Sequence, residues 1–339
     1  MTIQSLLLIT LIGLLNLGSN TIEPNFSNPE KVITIQDRIF IYEPLLNHGL
    51  TSFSTSDFEE INRLEFGRGP SQVAGIFNKT LLEAPKDLIS FYDRSSGAVQ
   101  FFDSDLNLKL FHIFRGAMKM PFHVAPISDS TLFIVPNYGN FIELYRYSYD
   151  ILSESLEIDE KPFFILKPND NEKLKYLDNF ILRQDIHLSI KKNILYLAFE
   201  YSDLVVRLEE NGNYAVNQFQ EDMYGFPNTL DNDGYYNLPT IGEDPVCSLD
   251  IDIIDNKLIV LRNGTKHTGS FFSKIFKLDK IMKETDHGKE LLVYDIDTLD
   301  LLNRITLDTK INNIFNTPNK SFGISSIEND LLIEISFLE

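Results

Sequence analysis

The 339 residues hold no tryptophan, a single cysteine, and no uninterrupted apolar run of the ~20 residues that a membrane-spanning helix needs. With one cysteine an intrachain disulfide is impossible. Cys247, inside the apolar stretch "PVCSLDIDII" and with no histidine near it, reads as a small buried hydrophobe rather than a nucleophile. Basic residues are also scarce: 30 Lys and Arg face 49 Asp and Glu, a formal charge of −19. Binding to a phosphate backbone would start against a repulsive field, so nucleic acid is excluded as an expected partner. The same acidity suits a soluble protein and names no ligand. The aromatic content comes instead from 26 Phe and 14 Tyr, residues that fill half-buried pleated surfaces, and this favours an all-β chain.

Catalytic signatures are missing as well. No G-x-S-x-G elbow occurs, and the six histidines (His48, His112, His123, His187, His267 and His287) lack the i, i+4 spacing of a helical zinc site. In "TLDNDGYYNLPT" Asp231, Asp233 and Gly234 imitate a calcium loop. With Gly234 at its sixth place, however, Thr229 would be first and Thr240 twelfth, so the bidentate glutamate is absent. The stretch "RLEFGRGPSQ" supplies two glycines of a dinucleotide loop and then Pro70, with no helix pattern behind it and no Gly-Lys-Ser/Thr of a phosphate loop. Gly67, Gly69 and Pro70 read as a structural linker between repeats. No catalytic residue, metal ligand or cofactor is assigned.

What is present is a pattern of short apolar runs broken by turn residues every ~8 to 12 positions, the mark of a sandwich, barrel or propeller. The one short helical candidate is "KLDKIMKE" near Leu278. Laying "STSDFEEINRLEFGRG" over "FDSDLNLKLFHIFRG" puts Asp57 on Asp105, Phe58 on Leu106 and Phe66 on Phe114, and an Arg-Gly pair closes both. Similar turns recur around Asp150, Asn211 and Asp297. A unit of ~40 to 50 residues with four strands, each turn joining the two outer ones, describes a β-propeller of six blades of four antiparallel strands. Residues 21–339 are expected to form this one domain, with loop insertions near 220–245 and 262–290. Residues 1–20 carry an apolar core from Leu6 to Leu15 and read as a signal peptide, and Ser19 stands where lipidation would need a cysteine.

The run "RIFIYEPLLNHGLTSFSTSDFEEINRLEFGRGP" resembles the first blade of bacterial six-bladed propellers of uncharacterised function, TolB-like and NHL-like, which carry a Gly-x-Gly-Pro-Gly-Glu motif after that blade. Gly67, Gly69 and Pro70 match the motif, whereas Ser71 and Gln72 replace its Gly and Glu. The resemblance implies the fold and a periplasmic or secreted location, and no reaction. Two functional classes follow. In the first the chain is a monomeric, non-catalytic binding module that presents Tyr224, Phe226, Asp231, Asp233, Tyr235 and Tyr236 to a protein, peptide or glycan. In the second it resembles a calcium-dependent hydrolase or lactonase with the metal in a central channel.

Overall fold

A computed structural model of the chain describes residues 29, 31–43, 49–65, 72, 79–94, 96–114, 121–136, 142–150, 153, 155–167, 170–172, 174, 186–199, 202–219, 247–263, 287–317, 320–325 and 331–335. They form 24 strands in six antiparallel sheets, each running outward in sequence order. The first sheet holds β1 (Lys31–Ile35), β2 (Arg38–Glu43), β3 (Gly49–Ser54) and β4 (Glu60–Leu64). The second holds β5 (Lys79–Ala84), β6 (Leu88–Asp93), β7 (Ala98–Phe102) and β8 (Leu108–Ile113). In the third, β9 (His123–Pro126) and β10 (Thr131–Val135) lead to the long β11 (Ile142–Asp150), whose outer edge is shared by β12 (Ser155–Ile158) and β13 (Phe164–Leu166). The fourth comprises β14 (Ile186–Lys191), β15 (Ile194–Phe199), β16 (Ser202–Glu209) and β17 (Tyr214–Gln218). The fifth comprises β18 (Ser248–Ile254), β19 (Lys257–Arg262), β20 (Gly288–Asp295) and β21 (Leu301–Ile311). The sixth has three strands among the described residues, β22 (Asn313–Asn316), β23 (Ser321–Ser325) and β24 (Leu331–Ile335). Six blades are therefore present, and two depart from four plain strands: one outer strand is split and one sheet shows three.

The sheets form a ring because their strands are apolar on both faces. In β2, Ile39 and Ile41 pack toward the sixth sheet, while Phe40 and Tyr42 pack toward the second. In β19, Leu258 and Val260 face the fourth sheet, while Ile259 and Leu261 face the sixth. A two-residue side-chain period thus feeds two cores at once, which is why such strands read as near-continuous apolar runs. Six apolar clusters lie between successive sheets, and the one joining Val32, Ile39 and Phe53 to Phe315, Phe322 and Ile324 closes the circle. Cys247 is fully buried at the foot of β18, as a small hydrophobe would be.

The repeat seen in the sequence has a stereochemical basis. Phe58, Leu106 and Leu299 occupy corresponding turns between the two outer strands, and all three are left-handed, with φ of 60°, 61° and 60°. Bulky side chains rarely tolerate that conformation. Here it swings Leu106 and Leu299 into the neighbouring cores, where they are 3% and 0% exposed, so burial offsets the strain. The outer strand of the preceding blade anchors the same turns: Asn62 Nδ2 donates to Asp105 O and Asn217 Nδ2 to Leu299 O, both at 2.5 Å. Arg38 reinforces the first junction through Ser104 O at 2.7 Å and Asp105 at 2.8 Å. Within the first blade's outer strand Arg63 pairs with Glu60 at 2.6 Å.

Candidate functional site

The first strand of each blade lines the ring's centre, and in a ring of six these strands leave a channel. Its interior is uneven. Leu82 of β5 and Leu188 of β14 belong to one apolar cluster with Ile127, so the channel is packed on that side. Beside this apolar floor a cavity of about 540 Å³ opens toward the tight turns that follow the first strands. Those turns are short because their residues accept left-handed geometry, as at Lys86 and Asp87 (66° and 57°) and at Lys192 and Asn193 (52° and 62°). They project charge around the rim.

The cavity's charged groups come from four blades: Lys31 on β1, Glu83 on β5 with Lys86 and Asp87 in the following turn, Lys191 on β14 with Lys192 in the following turn, and Asp252 on β18; Thr34 on β1 and Asn316 on β22 add neutral polar groups. Their states differ. Lys31 is committed, since its Nζ lies 2.5 Å from Asp250 Oδ1 and 3.5 Å from Ile251 O, while Asp250 Oδ2 accepts the Ile314 N–H at 2.9 Å. At the rim Gln36 bonds Asp87 at 2.8 Å, and Lys86 pairs with Asp129 at 3.3 Å. Lys191, Lys192, Glu83 and Asp252 make no ion pair with one another among the described residues. Among the described residues, Asp252 accepts only the adjacent Ile253 N–H, at 2.8 Å.

By accessible surface Asp252 is half-buried and Glu83 exposed, and desolvation by the surrounding cavity walls sets their electrostatics. The surrounding protein pushes the Asp252 carboxyl up to about 7, and neighbouring Asp250 adds to the rise, whereas Lys31, the Ile253 N–H and Lys191 oppose it. Glu83 is raised by the same desolvation and then by Asp87, against Lys191. Lys191 thus stands within electrostatic reach of both carboxylates. Because folded Asp252 holds its proton to higher pH than the unfolded chain does, it binds more protons when folded between about pH 4 and 7, and stability falls as pH rises through that window. Asp252→Asn is expected to flatten this slope and to raise stability at pH 8 by on the order of 1–3 kcal/mol. Chemical denaturation at pH 5 and pH 8 checks it, and an unchanged slope would remove the assignment. A carboxylate raised by desolvation in a cavity makes that cavity the candidate site.

At the opposite end of the sheets a different cluster lies between the fourth and fifth blades. Arg262 donates through Nε and Nη2 to both oxygens of Asp203, at 2.7 and 2.9 Å, and through Nη1 to Glu290 at 2.7 Å. Arg304 Nε donates to the other oxygen of Glu290. Both guanidinium groups lie over the Phe219 ring, 5.3 and 5.7 Å from its centre. Phe219 and Cys247 flank residues 220–246, and Asn263 and His287 flank residues 264–286, so the network braces the points from which both insertions depart.

The candidate binding residues Tyr224, Phe226, Asp231, Asp233, Tyr235 and Tyr236 lie outside the described residues, as do Gly67, Gly69 and Pro70, the Leu278 segment, His48, His267 and residues 1–20. Gly67, Gly69 and Pro70 fall in sequence between β4 and β5. His123 and His287 are buried at 2% and 6% exposure, and His112 packs edge-on to Phe114. The sequence reading did not single out Lys31, Glu83, Lys191 or Asp252. A signal was available in "LDIDII", where Asp250, which is buried, and Asp252, which is half-buried, sit two apart in an apolar strand, an unusual place for two carboxylates.

No protein-family model matches the sequence, and no curated protein matches it. Solved structures do share its shape. A member of the DUF4221 family from Bacteroides vulgatus superposes with a TM-score of 0.55 at 8% identity, over 92% of this chain and 93% of that one. The Pan2 WD40 domain of Neurospora crassa gives 0.46 at 10%, over 88% and 73%. Virginiamycin B lyase from Staphylococcus aureus gives 0.44 at 11%, over 94% and 99%. At such identities the likeness is one of fold, and with six antiparallel sheets arranged in a ring the chain is a six-bladed β-propeller.

Proposed function

We propose that this propeller is a non-catalytic binding module that takes a small polar ligand into the cavity at the tight-turn end of its channel, and that it works outside the cytoplasm. The observation that carries the reading is a cavity whose Lys191, Lys192, Glu83 and Asp252 form no ion pairs with one another among the described residues, in a fold otherwise closed by apolar cores. Its volume falls in the ~300–1,000 Å³ range of small-molecule sites. Charged groups left open in such a place lower the cost of binding, because a ligand can pair with them without first breaking protein contacts. The 220–246 and 264–286 segments, anchored at the other end, offer a separate surface for a peptide, glycan or protein partner.

The experiment is a thermal-shift and calorimetric screen of small polar metabolites on the full chain, repeated with Lys192→Ala and Glu83→Gln. Ligands whose binding is lost in these variants support the cavity. A screen in which every hit binds the variants equally would overturn it. Calcium provides the contrast with hydrolysis: a specific site filled at ~100 Kd would add about 2.7 kcal/mol of stability. At matched ionic strength we expect equal, small shifts from calcium and magnesium; a large shift from calcium alone would make metal-assisted hydrolysis the better reading. The location rests on the apolar Leu6–Leu15 core. Mature protein recovered from outside the cytoplasm is expected to begin near residue 21, and an intact Met1 terminus on functional protein would refute export by cleavage.

A further inference from the structure

We infer that the channel cavity recognises a zwitterion, a free apolar amino acid or a short apolar peptide, with the ligand's carboxylate on Lys191 and Lys192 and its ammonium group on Asp252 and Glu83. The inference rests on the binding reading above and specifies its ligand. Three features of the cavity converge on it. First, two open cations, Lys191 and Lys192, face one space with three carboxylates, Glu83, Asp252 and, at the rim, Asp87, whose partner Gln36 is neutral. A purely anionic ligand brought to the lysines would meet Glu83 and Asp252, and a purely cationic one would meet Lys191 and Lys192, so a ligand of single sign is repelled by part of what it touches. A molecule carrying both charges a few bonds apart meets an opposite charge at each end.

Second, Lys31 and Lys86 also line the cavity but are held by Asp250 and Asp129, which leaves Lys191 and Lys192 as the cations open to a ligand. Third, part of the wall is apolar: half-buried Ile33, Ile190 and Ile253 line the cavity over the packed Leu82, Ile127 and Leu188, and offer a surface for an aliphatic side chain. At ~30 Å³ per water the cavity holds about 18 waters, the scale of a dipeptide rather than of a single ion.

Titration calorimetry on the full chain tests this with L-leucine and leucyl-leucine as probes, and with N-acetylleucine, leucinamide and maltose as controls. Leucine or the dipeptide is expected to bind, and removal of either charge, in N-acetylleucine or in leucinamide, to weaken binding at least tenfold. Lys191→Met is expected to abolish discrimination against leucinamide, and Asp252→Asn discrimination against N-acetylleucine, with thermal unfolding confirming that both variants fold. Lys192→Ala, on an exposed turn, serves in place of Lys191→Met if that variant does not fold. Blocked probes that bind as tightly as leucine would overturn the zwitterion while leaving a cavity ligand. The same holds if maltose binds, is sensitive to Asp252→Asn, and leucine does not. If none of the five compounds binds, and the broader screen also finds no ligand sensitive to the cavity variants, both the zwitterion and the cavity reading fall.

Discussion

Arg262→Met is expected to destabilise the protein by about 3–5 kcal/mol, the loss typical when one partner of a buried ion network is removed. The arginine is 4% exposed and serves two carboxylates, Asp203 and Glu290, which are 3% and 8% exposed. Without it both remain in the interface between the fourth and fifth blades, where among the described residues Arg304 bonds Glu290 but not Asp203. Desolvation already raises Asp203 above the usual carboxylate range against the pull of Arg262, so losing Arg262 lifts it further. The folded variant then binds a proton that the unfolded chain releases above about pH 4. Its deficit is greatest near pH 7 and shrinks as the solution is acidified toward pH 5. Urea titrations of both proteins at pH 5 and pH 7.5 measure this. A deficit below 1 kcal/mol at pH 7.5, or one that grows in acid, would show that the carboxylates reach water when the arginine is gone. The companion variant Asp203→Leu with Arg262→Met is expected to recover much of the loss, because an apolar pair leaves one fewer buried charge.

The second large effect is at the seam of the ring. Asp250 holds Lys31 through one oxygen and the Ile314 N–H through the other, and so joins the fifth, first and sixth blades. Its two partners are not equivalent. Lys31 retains 18% of its side-chain exposure, whereas Asp250 has 1%. Lys31→Met therefore strands a carboxylate with one backbone donor and should cost about 3–5 kcal/mol. Asp250→Asn leaves a lysine that can turn toward the cavity, and the new amide oxygen still accepts from Ile314, so about 1–3 kcal/mol is expected. The order of the two losses is the test: equal losses, or a greater one for Asp250→Asn, would mean that the carboxylate is not as shut off from water as its geometry indicates.

How far the sequence disclosed this molecule depends on the range of the interactions. The outer hairpins were legible because their determinants are local. Asp103 caps the turn at Asp105 and Asn107 within four residues, and Asp295 does the same at Asp297 and Thr298. The repeat of Phe58 and Leu106 at one offset reported the register of whole blades. The split outer strand of the third blade was only half legible: Asp159 to Pro162 in "LEIDEKPFFIL" signal a break, but not that the chain returns to the same neighbour, with Asp159 and Phe163 bonding Arg146 and Leu144 of β11. The cavity was hidden for a stronger reason. Its charges come from four inner strands, and Lys31 meets Asp250 across 219 residues, so no window of sequence contains two of its walls.

That same distance orders the folding of the chain in time. Apart from β13, which returns to β11, every pairing joins strands adjacent in sequence, so the hairpins of each sheet can form within microseconds. The seam brings together the first and last blades. Loop closure grows slowly with length, by only about 0.6 kcal/mol per doubling, so the long connection does not prevent closure. It delays closure instead, because non-local pairing waits for the search that local pairing avoids. Until then Val32, Ile39, Ile41 and Phe53 on one edge, and Phe315, Phe322 and Ile324 on the other, remain uncovered in an open arc of blades. Two such arcs from different molecules expose complementary edges, so a nascent chain that closes slowly is open to end-to-end joining with its neighbours. The Lys31–Asp250 salt bridge forms only once the first and fifth blades have met, so it holds the closed ring and is absent from the open arc.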